Sequence, residues 1–257
     1  GRLTPKTFYS TQDELDMGVN ALLAQVTQSQ SYTNMQYPQW QGDDITANPG
    51  SNKQACAQLD AFRASADNKG VVAAWNQHYK IIQLANDLID NAGRTQTSAT
   101  ERNIALGQAH FWRAYAYFYL VRIFGPLPIS LHSESDGGKT QLTDVEGVYK
   151  LIVDDLTKAD ELNLPTAYKG EPRNMFGCDV YVTQQAVKST LAAVYMAMAG
   201  YPLNKGQEYY AKAADAAEAV IKGVENGTYN HNMDAEWKNV YSMGNNYNKE
   251  TILGINN

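Results

Sequence analysis

Between residues 100 and 126 runs the stretch that most limits how this chain can fold. Ala109, Phe111, Trp112, Ala114, Tyr115, Tyr117, Phe118, Leu120 and Val121 leave it almost no polar face. A helix that is apolar on most sides has to lie inside a domain, with other helices around it. Thr100-Glu101 opens the segment and Gly125-Pro126 closes it. There glycine permits the terminal turn and proline cannot continue the hydrogen-bond ladder.

The rest of the chain supplies the surrounding helices. Ser10-Thr11-Gln12-Asp13-Glu14 has the polar cap and early acids of a helix start. That helix should run to about residue 28, with Leu15, Val19, Leu22, Leu23 and Val26 on one face. A second is expected from about 70 to 92, its inner face made by Val71, Trp75, Tyr79, Ile82, Ala85, Asn86 and Ile89. Another, from about 143 to 162, aligns Val148, Ile152, Leu156 and Ala159. The segment 183–199 carries Ala186, Leu191, Ala192, Tyr195 and Met196, and 209–221 presents Ala213, Ala216, Ala217 and Val220. Arg113-Ala114-x-x-Tyr117 and Leu191-Ala192-x-x-Tyr195 repeat one arrangement, a small residue three positions before an aromatic ring. The small residue lets two helices approach while the ring fills the next groove, which is the packing logic of tetratricopeptide-type repeats. The expected fold is therefore all-α: one domain over 1–257, with irregular tetratricopeptide-like hairpins at about 100–162 and 183–222 and long loops. A short apolar run at 251–256 reads as a β segment.

Composition excludes several functions. The net charge is −6 and no Lys/Arg cluster occurs, so neither nucleic acid nor an anionic lipid surface is an expected partner. No apolar stretch approaches the length of a membrane-spanning helix. Cys56 and Cys178 lie in no metal-ligand spacing. They read as two buried thiols, with a disulfide left open. Four scattered histidines and the lack of any nucleotide or hydrolase fingerprint point to no cofactor, no metal and no catalytic residues. Asp154-Asp155 should place one acid in water and the other in a cap or an ion pair. Arg113, inside the most apolar helix, should pair with a buried acid or with helix-end carbonyls. Trp75, Trp112, Tyr115 and Tyr117 read as core.

Seventeen tyrosines and four tryptophans are many for 257 residues, and some rings must reach surfaces or grooves. Tyr32, Tyr37 and Trp40 fall in the long polar segment 29–52. Tyr32, Tyr37, Trp40, Asp43 and Asn48 are the candidate ligand residues, with Asn34, Gln41 and Asp44 beside them. Flat rings suit sugar C–H patches, and planar polar side chains suit hydroxyls. The competing reading has Tyr37 and Trp40 pinning the loop to the helices while Asp43-Asp44 caps a turn. The segment 241–247, with Tyr241, Asn245, Asn246 and Tyr247, is a second candidate.

Several segments together resemble the SusD/RagB family of nutrient-binding outer-membrane lipoproteins. The run from Phe111-Trp112-Arg113-Ala114-Tyr115 to Ile123-Phe124-Gly125-Pro126-Leu127-Pro128 is similar to its Arg-Ala-aromatic helix and Phe-Gly-x-x-Pro turn. Trp75-Asn76-Gln77-His78-Tyr79 with Ala85-Asn86 resembles the preceding family helix. Val148-Tyr149 through Leu164-Pro165 resembles the following one, 183–195 the later repeat, and Asn248-Lys249-Glu250-Thr251-Ile252-Leu253 the entry into the second half. Family members are generally much longer, so the resemblance implies that the variable C-terminal half is missing here. It also implies a protein without an active site. Such a protein would hold an oligosaccharide at the extracellular face of the bacterial outer membrane and pass it to a SusC-like TonB-dependent transporter. It would be anchored by a lipid that this chain does not carry. The alternative is a helical-repeat scaffold or peptide-binding relative that takes no glycan.

Overall fold

The structure is a computed structural model that describes residues 8–30, 42, 46–47, 50, 53–133, 141–170, 172–245 and 247–255. Among the described residues are seven α-helices: α1 Gln12–Ser29, α2 Gln54–Asp60, α3 Lys69–Asn91, α4 Ala99–Phe124, α5 Val145–Glu161, α6 Gln184–Ala199 and α7 Gln207–Glu225. Two short antiparallel pairs complete it, β1 Leu127–Pro128 with β2 Leu142–Thr143 and β3 Asn174–Met175 with β4 Cys178–Asp179. Helix packs on helix in chain order from α3 to α7, while α1 lies across α3 and α4. Pairs α4–α5 and α6–α7 form the expected hairpins.

Four helix starts and one helix end have a local cause. Thr11 caps α1 in a full capping box, receiving the Glu14 N–H while the Glu14 carboxylate accepts from the Thr11 N–H. Asn68, Ser98 and Asp144 cap α3, α4 and α5. Gly125 ends α4 at φ 73°, a conformation that glycine takes without penalty.

As expected, α4 is the central helix, with Phe111, Trp112, Ala114, Tyr117 and Leu120 at most 1 % exposed. Tyr115 and Trp75 are half-buried and pack on that core from its edge. Along α3 the buried face is turned from the expected one. Ile82, Ala85 and Asn86 are buried, but Ala74, His78, Ile81 and Leu88 take the places expected for Val71, Trp75, Tyr79 and Ile89. Because α3 is wedged between α1 and α4, burial peaks between two contact lines, and the larger rings are left on its flanks. Residues 251–255 form no strand; instead Ile252, Leu253 and Ile255 pack on the helical core. Packed against the helices, this apolar run gains by burial rather than by extension. Both cysteines are free thiols, Cys178 buried but Cys56 only half-buried on the short α2.

Arg113 joins three helices and a loop. Its Nη2 and Nε donate to the two oxygens of Asp155 on α5 at 2.7 and 2.8 Å. Its Nη1 donates to Asn86 Oδ1 on α3 at 2.8 Å, and the Asn86 amide donates to the Ser130 and His132 carbonyls. His110 Nδ1 lies 2.7 Å from the same carboxylate. Burial by itself would raise the Asp155 carboxyl, but the bonds from Arg113 and His110 outweigh it and hold it below the usual range. Its neighbour Asp154 faces water and pairs with Lys150 at 2.6 Å. Arg113 thus has the buried acid expected for it.

Candidate functional site

Among the described residues, a concavity lies where the loop after α5, the β3–β4 hairpin, the start of α6 and residues 230–252 meet. It holds about 380 Å³, within the lower range of small-molecule sites, roughly 300–1,000 Å³. Asn174, Asp179, Gln185, Asn230, His231 and Asn248 bring planar polar groups to its wall, and Tyr247 brings a ring.

Three anchors shape this wall. The hairpin is held from behind by Arg173, whose Nη2 reaches Glu101 on α4 at 2.5 Å and Asp16 on α1 at 3.4 Å. Tyr229 lies flat against α7 at Gly223, where an added Cβ would come within 2.3 Å of the ring. Its hydroxyl donates to Gln184 Oε1 at 3.0 Å, which sets the following Asn230 and His231 against α6. The third anchor is a chain of bonds across the cavity. Gln185 Nε2 donates to the Thr166 carbonyl at 2.8 Å and lies 3.1 Å from His231 Nε2, and His231 Nδ1 meets the Lys249 carbonyl at 3.0 Å. A carbonyl can only accept, so the proton sits on Nδ1 and Nε2 accepts from the amide. The Asn232 N–H shares the Lys249 carbonyl, and the Asp234 N–H donates to Glu250 Oε1, so 231–250 closes into a loop with its ends tied.

Most polar side chains of this wall are hydrogen-bonded to one another or to the backbone. Asp179 Oδ1 accepts from the Tyr168 N–H at 2.8 Å and from Asn174 Nδ2 at 3.0 Å. It is the single carboxylate among the described lining residues, whereas glycoside cleavage uses a flanking pair. Burial pushes the Cys178 thiol up, away from the thiolate that a nucleophile would need. Both His231 nitrogens are engaged in structural bonds.

Of the residues singled out from sequence, Tyr32, Tyr37, Trp40, Asp43 and Asn48 lie outside the described residues, as do Asn34, Gln41, Asp44 and Asn246. From the second candidate segment Tyr247 reaches the cavity. Tyr241 stands 80 % exposed beside Trp237, their ring centroids 6.1 Å apart, and Asn245 braces the loop through its bond to the Asn239 carbonyl. Sequence reasoning missed Asn174, Asp179, Gln185, Asn230, His231 and Asn248. The one signal available for them was the density of Asn, His and aromatic residues from Tyr229 to Asn248.

A family model described as SusD-like, starch-binding and associating with the outer membrane matches residues 4–196. The chain belongs to the SusD-like family. A SusD-like protein P2 of Formosa agariphila is 28% identical over 236 residues, covering 86% of this chain and 41% of its own length. A SusD-like protein of Bacteroides ovatus is 28% identical over 204 residues, covering 77% of this chain and 35% of its own. The chain thus spans less than half the length of these relatives. Among solved structures, a SusD-like protein of Bacteroides fragilis matches with a TM-score of 0.76 and 19% identity over 96% of this chain and 45% of that one. Another, solved with xylogluco-oligosaccharide, matches with a TM-score of 0.73 and 23% identity over 93% and 45%. These likenesses establish a SusD-like helical fold.

Proposed function

We propose that this chain captures an oligosaccharide without transforming it, at the extracellular face of the bacterial outer membrane, and hands it to a SusC-like TonB-dependent transporter. The observation that carries this reading is the cavity. Its amides, single carboxylate and ring are tied to a rigid helical stack, which is what reading sugar hydroxyls requires. Family membership supports it, as does the relative solved with xylogluco-oligosaccharide. The aromatic segment bearing Tyr32, Tyr37, Trp40, Asp43 and Asn48 supplies a further part of the ligand surface, and the helical hairpins supply the scaffold and the transporter contact. A lipid anchor ties the protein to that membrane.

Calorimetry against a panel of starch, xyloglucan, xylan and mannan oligosaccharides tests the capture. A Tyr247→Ala or Trp40→Ala variant should bind more weakly than the parent while melting normally. Unchanged binding in both would place the site elsewhere. Co-purification with a transporter of the TonB-dependent class tests the delivery step.

A second reading is a helical scaffold that grips a protein or peptide and takes no glycan. It draws on a groove of about 350 Å³ between α5, α6 and α7, lined by Lys150, Asp154, Tyr195, Tyr209 and Lys212 among others. Alternating charges beside two rings suit an extended peptide. Peptide binding that persists when no glycan in the panel binds would favour it.

A further inference from the structure

The bonds that cross the cavity admit one protonation state. Gln185 is 1 % exposed, so its amide cannot turn to water. Its Nε2 faces both the Thr166 carbonyl at 2.8 Å and His231 Nε2 at 3.1 Å, while His231 Nδ1 faces the Lys249 carbonyl at 3.0 Å. A neutral imidazole with its proton on Nδ1 satisfies all three contacts, because the amide has two hydrogens to give and Nε2 accepts one of them. A protonated imidazole donates from both nitrogens and accepts at neither. Against the amide as it stands, two donors then meet. With the amide reversed, its oxygen would take the second ring proton but would face the Thr166 carbonyl, and two acceptors meet. No orientation of Gln185 keeps all three bonds once the ring is charged.

The ring stands at the base of a loop. The Lys249 carbonyl also accepts from the Asn232 N–H, and Glu250 Oε1 from the Asp234 N–H, so the tie made by His231 lies where the two ends of 231–250 meet. Asn230, His231, Tyr247 and Asn248, from those ends, line the cavity, and His231 is half-buried, within reach of solvent protons. We infer that His231 is a proton-operated latch. Neutral, it ties the loop to α6 and holds the cavity wall in shape; protonated, it gives up that tie. Histidine is the side chain that ordinarily changes charge between pH 5 and 8, so the wall is fixed at neutral pH and loosens in mild acid. The ionisable groups around the ring are Cys178 and Asp179 from the β3–β4 hairpin, Tyr247, Lys249 and Glu250 from the closing end of the loop, and Asp234 from its opening end. The Lys188–Asp160 pair lies further along α6 and across on α5. The ring's own partners, an amide and a carbonyl, are neutral, so neither brings a charge that favours the protonated form. The latch stands apart from the glycan-capturing reading, because it acts on the wall whatever occupies the cavity.

Hydrogen exchange of the loop amides tests it, expressed as protection factors so that the intrinsic pH dependence of exchange cancels. Parent, His231→Asn and Gln185→Met are compared at about pH 7.5 and about pH 5.5, both above the range in which carboxylates ordinarily titrate. In the parent, protection at Asn232 and Asp234 should fall roughly five- to tenfold at the lower pH, the equivalent of one hydrogen bond, while the amides of α4 keep theirs. Neither variant should show the fall: asparagine has no proton to gain, and methionine presents no donor to oppose a charged ring. The nitrogen-15 resonances of the parent's His231 should report the Nδ1–H tautomer at the higher pH and titrate in step with the loss of protection. That measurement decides the matter even if a variant leaves the loop open at both pH values. Equal parent protection at the two pH values, an Nε2–H tautomer, or a fall in either variant as large as the parent's would overturn the latch.

Discussion

Removing the Arg113 guanidinium should destabilise this protein in a way that depends strongly on pH. Arg113→Ala leaves Asp155, 3 % exposed, without the two charge-assisted bonds that balance its burial. A carboxylate cannot stay charged there, so the folded variant takes up one proton that the parent does not. Its uptake fixes the electrostatic part of the cost. Neutralising a carboxyl with an ordinary pKa of about 3.9 costs about 4 kcal/mol at pH 7 and about 1.5 kcal/mol at pH 5. Losing the bonds to Asn86 and the Leu131 carbonyl adds about 1–2 kcal/mol at either pH. Urea denaturation of parent and variant should therefore show a destabilisation near 5 kcal/mol at pH 7 that shrinks by about 2.7 kcal/mol at pH 5. The double variant Arg113→Met/Asp155→Leu, with no charge left to bury, should recover most of the loss. A cost below about 1 kcal/mol at pH 7, or one equal at the two pH values, would refute the reasoning.

Three further outcomes follow from the packing. His78 is fully buried, stacked 3.8 Å from the Tyr119 ring, and burial pushes its pKa down to about 4. An unfolded chain binds a proton at an ordinary pKa near 6.5 and the folded one does not. Stability should be complete above that value and fall by up to about 3 kcal/mol as pH drops toward 4; His78→Phe should flatten that slope in melts taken across the range. Gly223→Ala drives a methyl into the rigid Tyr229 ring and should cost about 1–3 kcal/mol by urea denaturation. It should also weaken glycan binding, since Tyr229 sets Asn230 and His231. Thr11→Ala removes one half of the α1 capping box and should cost about 1 kcal/mol, read as a lower denaturation midpoint with unchanged slope.

Local chemistry wrote much of this fold into the chain. The apolar run ending at Gly125-Pro126 could be nothing but an internal helix, and the polar cap Thr11 stands where α1 begins. Arg113 could be given a buried acid or helix-end carbonyls in advance, because a guanidinium among aromatic rings needs acceptors. Such inferences work where a residue's cost is set by its own segment. They weaken once two segments compete for one face, as along α3, where the large rings at 75 and 79 yield the centre to Ala74 and His78.

The cavity belongs wholly to that second kind. Asn174, Asp179, Gln185, Asn230, His231 and Asn248 come from four separate stretches, and each by itself reads as an ordinary polar loop or helix-start residue. They meet because Arg173, Tyr229 and the Gln185–His231–Lys249 chain hold those stretches together. Helical periodicity reports which side of a segment avoids water. It carries no information about which distant segment arrives opposite, and a binding site is made from that meeting. Sequence alone therefore determined the helices, the family resemblance and the aromatic richness, and tertiary packing decided where polar groups and rings converge.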